Sequence, residues 1–240
     1  MDSQTGVDVE LTPLPVGQLT ISIVEDSCMN RLAGLKCAIE VWSLAILPSL
    51  LSNSETFDAL DKEVIKSLEY FQTYLLQGLM ALPKSCPIPV LTYESNLLQM
   101  KYRLYKRVLN FAKHIYCQSE DLSLAKQIMS EQIKNGWPGL CKQAQLISDE
   151  LNIEGLFDHD VDKVQFKSLV QKACQSQNKA ELKSQISSYK KMSALRDEIV
   201  KGNGYFYSET LQNARVLFMF RVELIQAEMN SKQKLALANL

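Results

Sequence analysis

The sequence predicts an all-α protein with a multi-helix, bundle-like body, and three observations support this. Apolar residues recur at three- and four-residue steps through most of the 240 residues, which is the spacing of one helix face. Nine glycines and seven prolines are few for this length, whereas a fold with many turns would use more. After residue 30 no segment alternates as a strand does, and a weak alternation over Leu19–Asp26 leaves open one short strand near the N-terminus.

The pattern divides the chain into three segments. Residues 1–18 are predicted to be a flexible leader, because they include two prolines and show no period. Residues 19–92 form a first helical segment. Residues 93–240 form a second helical region, which carries a basic face.

Proline, glycine and polar residues separate the predicted helices. Pro48 should kink or end the first helix, Asp58 or Asp61 can cap the second, and Pro83–Pro89 is a stiff connector. Gly136–Trp137–Pro138 should break the chain, with Pro138 at the first position of the next helix. The predicted spans are Asn30–Asn53, Asp58 or Asp61 to about Leu82, a helix that begins at Thr92 and includes Leu97–Ile115, Leu122–Lys134, Pro138 to about Asn152, Asp160–Ser176, Lys179–Val200 and Ser208–Ala236.

Charge is distributed unevenly along the chain. Residues 1–69 hold eleven acids and four bases, a net charge of −7, which leaves 22 bases and 16 acids, or +6, in the remainder. Such asymmetry indicates a polyanion partner for the C-terminal part. The alternative is self-complementarity, in which the acidic segment docks on the basic one.

The cysteines and histidines do not form a metal-binding pattern. No two of the six cysteines lie closer than nine positions, and only His114 and His159 accompany them, so we expect free buried thiols and no metal or cofactor. The first 20 residues lack the apolar run of a secretory leader. The most apolar run, Cys37–Leu51, contains Glu40 and Pro48 and is predicted to be a core helix rather than a membrane span. We therefore expect an intracellular protein, nuclear or cytoplasmic, that does not enter a membrane.

The segment Leu97–Ile115 is a basic amphipathic helix. At 100° per residue an apolar stripe falls within an arc of about 80°, formed by Leu97, Met100, Leu104, Val108, Phe111 and Ile115. The opposite side presents cations about one turn apart, which suits the phosphates of a nucleic-acid strand, and Tyr102 on that side can stack on a base or ribose. The candidate nucleic-acid-binding residues are Lys101, Tyr102, Arg103, Lys106, Arg107 and Lys113.

The alternative interpretation is that the basic side of this helix faces solvent, or that the acidic N-terminal segment pairs with it. Like charges one turn apart, without acids between them, repel each other by about 0.2–0.5 kcal/mol per pair. A binding partner would relieve that repulsion, but a charge run alone does not require one.

Four segments carry a family resemblance through their order. They are Ile21–Phe57, which ends in P-x-L-L-x-x-S-E; Leu68–Ser95, with L-P-x-S-x-P and a later L-x-x-E; the basic helix Leu97–Ile115; and Asn135–Leu140, NGWPGL. Together they resemble the C-terminal part of a non-LTR (LINE-type) retrotransposon reverse transcriptase, over roughly residues 20–225. Phe57 stands where that family usually has Trp.

The resemblance implies a thumb-like segment over residues 19–92 and a linker-like region over residues 93–240. In such enzymes the thumb grips the template–primer duplex and the linker contacts element RNA, so the expected partner is RNA or an RNA–DNA duplex. A thumb separated from its palm should expose apolar surface, here Trp42, Leu44, Leu47 and Leu51, and should therefore self-associate.

The same family needs a carboxylate cluster to hold two catalytic metal ions, which it supplies with an Asp-Asp motif. The present sequence contains no Asp-Asp pair, so the chain is expected not to be an enzyme. The local group Asp158, His159, Asp160 and Asp162 is interpreted as a polar loop and a helix cap. The alternative to a nucleic-acid-binding segment is a helical protein-interaction module with no nucleic-acid role.

Overall fold

Every regular element described by the computed structural model is helical, which confirms the predicted all-α class. The structure describes residues 39–56, 59–80, 82, 86–119, 123–188, 213 and 215–219. Its elements are a π-helical stretch Trp42–Ile46, α1 Leu47–Leu50, a 3-10 turn Ser54–Thr56, α2 Lys62–Leu79, α3 Ile88–Glu94, α4 Met100–Tyr116, α5 Leu124–Asn135, α6 Leu140–Glu150 and α7 Lys163–Ser188.

Pro48 lies inside a helical segment instead of ending it. A proline has no N–H, and its ring crowds the carbonyl four residues earlier. The turn just before Pro48 widens into the π-helical stretch, where the Leu47 N–H donates to the Trp42 carbonyl five residues back. This wider turn accommodates the ring, and the helix continues to Leu50.

The start of α2 confirms one of the two predicted caps. The Asp61 carboxylate accepts hydrogen bonds from the Glu63 and Val64 N–H groups at 2.8 and 3.4 Å, which satisfies two of the donors that a helix start leaves unpaired. The helix ends at Leu79, three residues before the predicted end near Leu82.

The predicted stiff connector is partly a helix. Pro87 is the N-cap of α3, and Pro89 occupies its first turn, where a missing N–H costs nothing. A break then separates α3 from α4, and Asn96 lies in it with a left-handed φ of 51°. The prediction that one helix begins at Thr92 is therefore wrong, because Thr92 belongs to α3 and α4 begins at Met100.

Helices α5 and α6 are joined by the turn that the sequence predicted. Gly136 ends α5 with φ 63°, a conformation that glycine adopts without strain. Pro138 precedes α6 by two residues instead of beginning it. Ser123 caps α5 by accepting from the Lys126 N–H, so α5 begins two residues later than predicted.

Helix α7 replaces two predicted helices. It runs without a break from Lys163 to Ser188, across the gap expected between Ser176 and Lys179. The Asp162 carboxylate accepts from the Val164 N–H at the start of α7, and the Asp158 carboxylate accepts from the Asp160 N–H. These bonds confirm the interpretation of this acidic group as a polar loop and helix cap.

Helix α4 is the centre of the described fold. It packs against α2, α5, α6, α7 and the 3-10 turn. At 100° per residue its buried side chains cover about 220° of its circumference, far more than one face. They are Met100, Tyr102, Leu104, Tyr105, Val108, Leu109, Ala112, Lys113 and Ile115.

The main core contains residues from both sides of the predicted boundary between residues 92 and 93. Trp42 and Leu75 from the N-terminal side lie in the same cluster as Leu109 and Phe166. The boundary itself falls within α3. Several predicted segments lie outside the described residues. They are the leader 1–18, the proposed strand Leu19–Asp26, residues 189–200 of the predicted helix Lys179–Val200, and Ser208–Ala236 except for residues 213 and 215–219.

The predicted exposed surface for a missing palm is largely absent. Trp42, Leu47 and Leu51 are buried, and only Leu44, with 78% of its surface accessible, is exposed. The prediction was wrong for three of the four residues because they pack under α2 and α4: the Trp42 and Phe71 rings, for example, lie 5.8 Å apart. Three of the four described cysteines (Cys86, Cys141 and Cys174) are buried free thiols, as predicted.

Replacing Leu109 with alanine should destabilise the protein by about 2–5 kcal/mol, because this fully buried leucine would leave a cavity beside the central helix. Leu124→Ala is the matched control. Its side chain is 71% exposed on α5, so the change should stay within about 0.5 kcal/mol. Urea unfolding measures both, and equal losses would contradict the central position of α4.

Candidate nucleic-acid interface

The six candidate residues of α4 fall into two groups. Tyr102 and Lys113 are buried, and partly exposed Lys101 is held by two carboxylates. The other three line a common groove, and they are Arg103, Lys106 and Arg107. The prediction that Tyr102 and Lys113 lie on an accessible side of the helix is therefore wrong. Lys101, which the helical spacing places beside the apolar stripe, is committed to carboxylates of the protein itself.

Lys113 lies in the interior, with 1% of its surface exposed. Its ammonium donates hydrogen bonds to the backbone carbonyls of Gly155 and Asp158, in the loop before α7, and lies 5.3 Å from the centroid of the Phe166 ring. Lys113 therefore ties a loop to α4, and it cannot reach a phosphate outside the protein without breaking these bonds.

Lys101 and Tyr102 belong to a polar network between α4, α6 and α7. The Lys101 ammonium lies 2.8 Å from a Glu150 carboxylate oxygen and 3.7 Å from one of Glu181. The Tyr102 hydroxyl donates to Glu181 at 2.5 Å, and the Tyr105 hydroxyl donates to Glu150 at 2.8 Å. Burial, and then the hydrogen bond to the glutamate, raises the pKa of each tyrosine. The network holds three helices together and leaves no ring free to stack on a base.

A partly buried carboxylate contacts the first turn of α4. The Glu69 side chain, from α2, accepts the Lys101 N–H at 3.3 Å. The side chain of the N-cap residue, Gln99, makes no capping hydrogen bond. Burial raises the pKa of Glu69 to about 7, although the N–H donors and Arg103 pull it down. Burial also lowers the pKa of Arg103 to about 10, while Glu69 opposes that shift.

The remaining open arc of α4 borders a groove of about 640 Å³. Arg103, Lys106, Arg107 and Asn110 form its floor, since they occupy the part of α4 that is not buried. One side is formed by α7. The other side is formed by residues of the N-terminal helical segment and the π-helical stretch, which are Ile39, Ser43, Leu47, Pro48 and Leu51.

Cations outnumber acids along the described lining of this groove. Arg107 donates to Glu55 through Nε and through a terminal nitrogen, at 2.9 and 2.6 Å. Glu55 is the single acid among the described lining residues. Lys106 donates to the neutral Gln171 amide, and its pKa is lowered by burial, then by the nearby cations Lys167 and Arg103. Positive charge is therefore concentrated where Lys106 meets α7.

Sequence reasoning missed several groove residues because their signal is weak. Phe111 was placed in the buried apolar stripe, yet it is 37% exposed and faces the groove. Gln171 and Gln175 continue the four-residue spacing of Lys163 and Lys167 along α7. That spacing marks neighbouring positions on one side of a helix, and it could have indicated a polar stripe facing α4.

The described residues provide no metal site. Nowhere in that part of the chain do three His, Cys, Asp or Glu side chains group closely enough to hold an ion. His159 packs against the Tyr116 ring at 4.5 Å between centroids. Within the same residues, no helix is long and apolar enough to cross a membrane.

Lys113→Met should destabilise the protein by about 2–3 kcal/mol, because two backbone carbonyls lose a charged donor at a buried position. Lys134→Met, at an exposed position in the last turn of α5, serves as control. Thermal unfolding measures both changes. Nucleic-acid binding at a temperature where Lys113→Met is folded should equal that of the parent, and a selective loss of binding would contradict an internal role.

Glu69 should make stability depend on pH in an unusual direction. Between about 4.5 and about 7 the folded protein keeps this carboxyl protonated while the unfolded chain ionises it, so the free energy of unfolding falls as the pH rises through that window. Glu69→Gln should flatten the decline and can still accept the Lys101 N–H. Glu63→Gln, exposed on the same helix, should leave the profile unchanged. Urea unfolding across the window tests this, and identical profiles for both variants would contradict it.

Comparisons with protein-family models, with curated protein sequences and with solved structures gave no match to this chain. The family resemblance therefore rests on the order and spacing of the four sequence segments. Two of those segments contact each other in the fold, because Glu55 of the first pairs with Arg107 of the basic helix.

Proposed function

We propose that this chain is a non-catalytic, thumb-and-linker type segment of a LINE-type reverse transcriptase, which binds nucleic acid through the groove of Arg103, Lys106 and Arg107. It would act in the nucleus or cytoplasm, where RNA or an RNA–DNA duplex is present. The proposal retains half of the candidate residues and assigns the other half, Lys101, Tyr102 and Lys113, to holding the fold together.

The groove is the observation that carries this proposal. Its three cations lie within about one turn of one helix, over a length of roughly 6 Å from Arg103 to Arg107. A polyanion that lies along the groove neutralises several of them at once and releases counterions. Glu55 offsets only part of that charge.

The electrostatics of Lys106 favour an anion at the same place. Its charged form is disfavoured by burial and by two neighbouring cations, Lys167 and Arg103. A phosphate in the groove would offset both effects, because a nearby negative charge stabilises the ammonium form. The contribution of Lys167 also extends the cationic surface from α4 to α7.

The non-catalytic part of the proposal comes from the sequence. Phosphoryl transfer by a polymerase requires carboxylates that hold two metal ions, and the 240 residues contain no Asp-Asp pair. The chemistry of this chain is therefore proposed to be limited to holding a nucleic acid.

The second candidate function is a helical protein-interaction module, and two observations favour it. Glu55 and Glu69, from the acidic first 69 residues, are directed towards the basic helix, so part of the charge asymmetry is self-complementary. Helix α5 also leaves apolar side chains exposed. Those residues, with the aromatic that follows the helix, are Leu124, Ile128, Ile133 and Trp137.

Charge changes in the groove should move affinity in opposite directions. Lys106→Gln should weaken binding of labelled RNA and of an RNA–DNA duplex, and should lower the slope of log Kd against log salt by about 1. Glu55→Gln should tighten binding, because it removes the groove's described acid yet still accepts from Arg107. Fluorescence anisotropy between about 50 and about 200 mM salt measures both effects.

Lys134→Gln removes one cation on α5, away from the groove, and serves as the control. Its affinity and salt slope should match those of the parent. Negligible binding at the lowest salt, or equal effects of Lys106→Gln and Lys134→Gln, would exclude the groove as the binding site and would favour the protein-interaction module.

A further inference from the structure

The groove has two chemically different sides. Cations and amides come from α4 and α7, including Asn110, Gln171 and Gln175. The opposite side is mostly apolar, and Leu47 and Pro48 belong to it. A surface that contacts only the outside of a duplex needs cations and polar groups for phosphate and sugar. The apolar side of this groove is not explained by such contacts.

We propose, resting on the proposed nucleic-acid function, that the groove takes a single strand rather than a duplex, with a base stacked on Phe111. In a duplex the bases are stacked inside, and a protein meets backbone and groove edges. A single strand can turn its bases outwards, so that aromatic rings and amides contact them while cations hold the phosphates.

Phe111 is placed for such stacking. Its position on α4 follows Arg107 by one turn, so a strand held at Arg107 passes the ring about 6 Å further along. The ring is 37% exposed and lines the groove, whereas most apolar side chains of α4 are buried. An aromatic face beside a cation is the arrangement that single-strand-binding proteins use without sequence preference.

The strand has a path beyond the groove. Lys163 and Lys167 are exposed on α7 and precede the groove residues Gln171 and Gln175 at four-residue steps. Lys167 is close enough to Lys106 to lower its pKa. A strand leaving Lys106 therefore meets two further cations, and its binding should extend over several nucleotides.

The test compares a labelled oligo-uridine of about 12 nucleotides, the oligo-deoxythymidine of equal length and an RNA–DNA duplex, all by anisotropy at one salt concentration. Both single strands should bind roughly tenfold more tightly than the duplex. Phe111→Ala should weaken the single strands by about tenfold and the duplex by less than about twofold.

Three variants separate stacking from other effects. Phe111→Leu keeps apolar bulk without an aromatic face and should weaken binding as Phe111→Ala does. Phe111→Trp keeps an aromatic face and should bind single strands as tightly as the parent. Trp137→Ala removes an exposed aromatic from a different cleft and should change nothing. Circular dichroism checks that each variant is folded.

The outcomes distinguish this inference from the proposed function. Equal binding of duplex and single strand, weakened by Lys106→Gln but not by Phe111→Ala, would overturn the single-strand inference and leave the nucleic-acid function standing. Binding of none of the three probes would overturn both.

Discussion

The burial of a cationic helix is the constraint on which the described fold depends. Helix α4 contributes the largest share of the main core, yet its sequence carries five lysines and arginines and no acid. Charges taken from water need partners that replace their hydration. Carboxylates from four elements therefore approach α4: Glu55 from the 3-10 turn, Glu69 from α2, Glu150 from α6 and Glu181 from α7. These contacts fix how the surrounding helices are placed around the central one.

The same constraint leaves only a narrow part of α4 for function. The Lys101 ammonium forms ion pairs with partly exposed carboxylates of the protein, and the buried Lys113 ammonium donates to backbone carbonyls. Arg103, Lys106 and Arg107 lie on the arc that no helix covers in the described structure, and a groove forms there. Glu55 contributes both to the fold and to the groove, because it anchors the 3-10 turn to α4 and also lowers the positive charge of the groove. A carboxylate that stabilises the fold can thus also limit affinity for an anion.

Local sequence signals predicted the fold well where the chain itself supplies the partner. Asp61 caps α2 with its own side chain, and Gly136 ends α5 through its own backbone freedom. Predictions failed where a distant contact intervened. The start of α4 has no cap from its own N-cap residue, since Glu69 reaches it from another helix. Asn178 lies in the predicted gap between two helices, yet it is inside one continuous helix, α7. Its side chain accepts the N–H of Gln99, the N-cap residue of α4.

The sequence by itself determined the helical class, the position of the GWPGL turn and the apolar stripe of the basic helix, because each depends on periodicity or on local backbone preference. It also identified the cations that could meet a polyanion. Only the tertiary structure decided which of them remain available. Residues on one side of a helix look equivalent in a linear pattern, but Lys113 faces the loop before α7 while Lys106 faces an open groove. That difference comes from how neighbouring helices pack around α4, and the spacing of residues along a single helix does not contain it.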